Sequence, residues 1–144
     1  MAGITVGFDG SHSARRALEW AMSEAAVRHA PLTVLTVHLV AASGWTGNPM
    51  VLPADAPELE KMRQAAEDAA AKVAAELGQP GVAVNVRAVN GYPGEELTKA
   101  SDDADLVVVG ARGMSAIGRL LLGSVSSEVM HHARCPVVLI RDAG

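Results

Sequence analysis

Three glycines and a serine offer the most chemistry in this chain: Gly110 and Gly113 in the run Gly110-Ala111-Arg112-Gly113, then Gly123-Ser124 after a nine-residue interval. Glycine lets backbone N–H groups approach phosphate oxygens closely and adopt positive φ. A serine that opens a helix adds a hydroxyl donor to the positive end of the helix dipole. Such a segment is suited to cradling a polyphosphate. The same glycines also suit plain turns, and local composition leaves both readings open.

The segment is not a P-loop. Gly113 and Gly118 are followed by Arg119-Leu120, not by Lys and Ser/Thr, so the hydroxyl that would hold magnesium is missing and a Walker-type NTPase is excluded. Arg112 and Arg119 are candidates to neutralise phosphate charge, beside the plainer reading as solvated surface groups. His131 and His132 are adjacent, about 100° apart on a helix, and lack the i, i+4 histidine partner of metal motifs. Their position near a helix end suits the negative pole of its dipole. His12, His29 and His38 are scattered without Asp or Cys at diagnostic spacing, so no metal site is expected.

These residues need a scaffold, and the chain alternates strands with helices throughout. Ile4 to Phe8 reads as a short apolar strand ending in Asp9-Gly10-Ser11, turn and cap formers that can launch a helix. From Ala14 the residues Ala14, Ala17, Leu18, Ala21, Met22 and Ala25 recur at helical spacing, and the helix ends before Pro31. Leu32 to Val40 is nearly continuous in its apolarity, as in a strand covered on both faces. Residues 41 to 53, with Gly44, Trp45, Gly47, Pro49 and Pro53, form a long loop. A second helix runs from about Pro57 to Leu77, with Leu59, Met62, Ala66, Ala69, Val73 and Leu77 on one stripe.

Val82, Val84 and Val86 alternate with Ala83, Asn85 and Arg87, which predicts a third strand at a sheet edge. Pro93-Gly94 opens a short helix through about Ala100. Leu106-Val107-Val108-Val109 has no polar alternation and stops at Gly110, as a central parallel strand does. Ser124 starts a fourth helix through Val125, Val129 and Ala133, with Ser124 itself as its cap, and Pro136 to Ile140 is the last strand. The alternation implies right-handed βαβ crossovers and a parallel sheet, a single α/β domain over residues 1–144. Ligands of such sheets bind at the carboxyl ends of the strands, near the switch in strand order.

Bulk composition agrees. A chain of 144 residues with 49% hydrophobic and only 3% aromatic content can fill one core of helices laid on a buried sheet. Its net charge of −4 provides no footprint for nucleic acid. Cys135 is the only cysteine, so no internal disulfide is possible, and beside Pro136 it reads as a small buried hydrophobe. No targeting segment or bilayer-spanning run is evident, so a soluble, cytoplasmic protein with no membrane partner is expected.

The spacing G-x2-G-x9-G-[ST], met by Gly110, Gly113, Gly123 and Ser124, resembles the ATP-binding signature of the universal stress protein (UspA-like) family. The resemblance extends over the chain. Val6-Gly7-Phe8-Asp9-Gly10-Ser11 is similar to the family's start, and Arg134-Cys135-Pro136-Val137-Val138 to its end. It implies a three-layer α/β/α sandwich of Rossmann-like, adenine nucleotide alpha hydrolase-like type, with five parallel strands in the order 3-2-1-4-5. It assigns Asp9 to the ribose hydroxyls, a role that competes with capping of the first helix. Gly7, Phe8 and the main chain of Val37 are assigned to adenine. Gly110, Gly113, Gly123, Ser124, Val125 and Ser126 are assigned to the phosphates, Ser126 through a hydroxyl position just inside the helix and Val125 through its backbone N–H; Arg112 joins them as the loop arginine already named.

The resemblance therefore implies an ATP-binding stress-response module, with Mg2+ accompanying the nucleotide. Without a clear base beside Asp9 and the loop arginines, ATP hydrolysis is at most slow and no catalytic residue is named. Two other functions compete: a cyclic-AMP sensor, and a nucleotide-independent, chaperone-like dimer. The last strand, 136–140, is too apolar for a bare edge and predicts a homodimer formed through it.

Overall fold

The computed structural model describes residues 2–39, 42–43, 48–49, 55–112 and 123–141. The chain order is β1 (Ile4–Gly7), α1 (His12–Arg28), β2 (Leu32–Leu39), β3 (Ala42–Ser43), β4 (Asn48–Pro49), α2 (Asp55–Leu77), β5 (Val84–Gly91), α3 (Pro93–Ala100), β6 (Leu106–Gly110), α4 (Ser124–His132) and β7 (Val137–Ile140). Five strands form one parallel sheet, ordered β5-β2-β1-β6-β7. Counting only the strands of this sheet, the order is 3-2-1-4-5, as expected. The pair β3 and β4 is antiparallel and lies within the segment read as a loop. Trp45 and most of that segment fall outside the described residues.

Continuous apolarity in the inner strands has a direct cause: both faces of the sheet are covered. Ile4, Val6, Leu32, Val34, Leu106 and Val108 pack on one face with Leu18 and Met22 of α1 and Val73 of α2. Leu35, Val107 and Val109 pack on the other with Leu97 of α3 and Val129 of α4. Burying each of the larger side chains stabilises the fold by about 1.5–3 kcal/mol. In α2 the buried positions are Ala66, Ala70 and Val73, whereas Leu77 is exposed, so the stripe is narrower than its spacing suggested.

Some boundaries move for physical reasons. Helix α2 begins at Asp55, which leaves Pro57 in the first turn, where a missing N–H costs no intrahelical bond. The third sheet strand starts at Val84, not Val82, and continues to Gly91, because it pairs with β2 residue for residue from Leu32↔Val84 to Leu39↔Gly91. Ser124 is the first helical residue of α4, and Gly123 takes the cap position that was expected of the serine. Cys135 is half-buried, not buried; partial burial pushes its thiol pKa up.

At the start of α1, two residues contested the cap. The Ser11 side chain accepts from the Ala14 N–H at 3.1 Å and is the N-cap. Asp9 instead accepts the Ser11 N–H through Oδ1 at 2.9 Å, and Gly10 between them has φ of 82°. Asp9 thus shapes the turn and does not cap the helix.

Candidate functional site

Parallel register sets which residues meet at the carboxyl ends of the strands. Val6 is level with Val34 of β2 and Val108 of β6. The β1–β2 pairing runs to Gly7↔Leu35, and Phe8 and Asp9 follow directly on the carboxyl end of β1. The backbone supports this, since the Phe8 N–H donates to the Leu35 carbonyl at 2.9 Å. From β1 the sheet grows one way to β2 and β5 and the other way to β6 and β7. Asp9 therefore stands at the switch in strand order, where open α/β sheets bind ligands.

Helix α4 brings its N-terminus to the same place. The Gly123 N–H donates to the Ala111 carbonyl at 2.8 Å, and the buried Ser126 hydroxyl donates to the same carbonyl at 3.1 Å. Ser126 Oγ also lies 3.0 Å from the Gly123 carbonyl. The exit of β6 and the entry of α4 are thus held side by side. The first intrahelical bond is that of the Ser127 N–H to the Gly123 carbonyl. The N–H groups of Ser124, Val125 and Ser126 have no acceptor within the helix and lie at its positive pole. An oxyanion is the natural partner for such a group of donors. The hydroxyl of Ser126 is turned to the two carbonyls, so this residue offers an anion its N–H.

Not all the expected site residues contribute in the same way. Gly7, Phe8, Asp9, Val37, Gly110, Arg112, Gly123, Ser124, Val125 and Ser126 lie on the strand ends and helix start just described; Gly113 lies outside the described residues. Gly7 has a packing role as well, because a Cβ there would come 2.9 Å from Leu97 Cδ1. Val37 pairs with Val89 and sets its side chain against the Leu35 cluster. Among the described residues no group of His, Cys, Asp and Glu is arranged to hold a metal ion, and no helix is long and apolar enough to cross a membrane.

Sequence reasoning missed Ser13 and Ala111. Ser13 is buried in the first turn of α1, and its Oγ accepts from the Arg112 N–H at 3.4 Å. Ala111 donates its N–H to the Ile140 carbonyl at 2.7 Å and accepts from Gly123 and Ser126. Neither has a signal in the one-dimensional pattern. Gly110 carried an indirect one, since a Cβ there would overlap the Ser13 hydroxyl and come 2.9 Å from the Ser13 carbonyl carbon.

Comparison with known proteins adds to this geometry. Residues 2–141 match the model of the universal stress protein family. A universal stress protein of Mycolicibacterium smegmatis is 37% identical over 139 residues, which cover 96% of this chain and 47% of that protein. This chain spans about half the length of the mycobacterial relatives it matches. A universal stress protein solved in complex with cAMP superposes with a TM-score of 0.68 at 30% identity, covering 96% of this chain and 95% of that one. The Archaeoglobus fulgidus universal stress protein in complex with dAMP gives a TM-score of 0.65 at 25% identity, with 96% of each chain covered.

Proposed function

The chain belongs to the universal stress protein family, and from that premise we propose that it is a regulatory module that binds ATP, with Mg2+ as the counter-ion of the phosphates. The observation that carries this reading is the pair of bonds at Ala111 that fasten the start of α4 to the end of β6, the strand next to β1 and its Asp9 turn. A carboxylate suited to ribose hydroxyls and three helix-terminal N–H groups suited to phosphate then stand at one switch point. Adenine nucleotides in the cAMP and dAMP complexes of two relatives support the class of ligand.

In this reading Asp9 takes the ribose, Gly7, Phe8 and the Val37 main chain border the base, and Gly110, Arg112, Gly113 and Gly123 to Ser126 surround the phosphates. Turnover is slow, and the bound nucleotide acts by shifting conformational populations. Two copies pair through β7, whose residues Val137–Ile140 are all partly exposed at an apolar edge.

A sensor for cyclic AMP is the second reading, favoured by the relative in complex with that ligand. Displacement of a fluorescent ATP analogue from nucleotide-stripped protein separates the two. ATP should displace the probe at a concentration at least about tenfold below that of cAMP, a gap of about 1.4 kcal/mol. The opposite order would assign the site to the cyclic nucleotide.

A further inference from the structure

We propose that Ser13 is a positioning residue that sets the phosphate side of the site relative to the ribose side; the proposal rests on the nucleotide-binding reading above. Ser13 is 4% exposed, in the first turn of the helix that follows the Asp9 turn. Its hydroxyl lies against Gly110, at a distance that leaves no room for a Cβ, and accepts the Arg112 N–H at 3.4 Å. Residues 110 to 112 are thereby fixed to the first turn of α1. Ala111, between those two contacts, receives Gly123 and Ser126 from α4. One buried hydroxyl thus connects two strand exits: the exit of β1, where Asp9 and the Ser11 cap fix the helix start, and the exit of β6, where the α4 donors are anchored.

The arrangement has a specific consequence. Without the Ser13 acceptor, the Arg112 N–H loses that bond to α1, and Arg112, which lies beyond the Gly110↔Ile140 pairing and the Ala111 bond to Ile140, can shift relative to the Asp9 turn. The β1 and β2 ends, which border the base and ribose, keep their own bonds: Phe8 to Leu35, and the β1–β2 ladder. A positioning role therefore weakens recognition of phosphate and leaves recognition of the nucleoside unchanged. A merely structural role would weaken both together.

The test is calorimetric titration of the wild type and Ser13→Ala with ATP, AMP and adenosine, together with amide hydrogen exchange of Arg112. Alanine is a good helix former and fits the space, so the variant folds. ATP affinity should fall about threefold to fivefold, the worth of one long hydrogen bond expressed through the phosphates. Adenosine affinity should be unchanged and Arg112 exchange faster, with the melting temperature within a few degrees of wild type. Equal loss for ATP and adenosine, or unchanged ATP affinity, would overturn the proposal. Wild-type protein that binds none of the three would remove the nucleotide reading itself, a separate and recognisable failure.

Discussion

Gly110→Ala should lower the unfolding free energy by about 2–3 kcal/mol, the cost of forcing an added methyl into a filled site. The new Cβ would meet the Ser13 hydroxyl and also backbone, with the Ser13 carbonyl carbon at 2.9 Å, so rotation of one side chain cannot relieve it. Either α1 backs away from β6 or the end of β6 bends outward. Bending would disturb the Gly110↔Ile140 pairing and the Ala111 N–H bond to Ile140. Urea unfolding followed by far-UV circular dichroism measures the loss. Gly81→Ala is the matched control, since a Cβ at Gly81 meets nothing within 4 Å; it should change stability by no more than about 0.5–1 kcal/mol. Equal stability of the two variants would show that the α1–β6 approach is looser than described. Gly7→Ala should fall between them, because the obstacle there is the tip of the Leu97 side chain.

Asp9→Asn is expected to reduce ATP affinity by about 10- to 100-fold, the range of a hydrogen bond to a charged group at about 1.5–3 kcal/mol. The amide oxygen of asparagine can still accept the Ser11 N–H, so the turn into α1 and the Ser11 cap are kept. Stability should change by less than about 1 kcal/mol. The substitution thus separates the two roles of this carboxylate, turn formation and ligand binding. Titration calorimetry and a urea curve on the same preparation measure both. A variant that loses stability while retaining full affinity would make Asp9 a purely structural residue.

How far the sequence could be read depended on whether an element's signal is local. Leu106 to Val109 was legible as a central strand because its side chains alternate between two buried clusters, which leaves no polar position in the run. Helix α3 was legible from Pro93, which starts it. The edge strand was misplaced because its ends are set by its partner: β2 holds β5 in register as far as Gly91, and nothing around Asn90 announces that length. Leu77 looked like a core position from its spacing, yet it lies at the last residue of α2 and is exposed.

The site divides in the same way. A helix start and its preceding glycines leave a mark in the chain order, and α4 does begin at Ser124 with Gly123 as its cap. Asp9 and Ser11 lie two residues apart and both can cap, so only the conformation of Gly10 decides between them. Ser13 was invisible: a serine in the first turn of a helix is ordinary, and its meaning comes from Gly110, 97 positions later in the chain. The bond that turns the Ser126 hydroxyl to the Ala111 carbonyl joins residues 15 positions apart, so chain order gives no sign of it.

Isothermal titration of nucleotide-stripped protein with Mg-ATP, in parallel with the Gly123→Ala, Ser124→Ala double variant, decides whether the start of α4 receives a triphosphate. Saturable binding of one ATP per chain to the wild type is expected, weakened at least about tenfold in a folded double variant that has lost the Ser124 hydroxyl and the open face of Gly123. Wild-type protein that takes up no ATP at high micromolar concentration, or a variant that binds as tightly as the wild type, would contradict it.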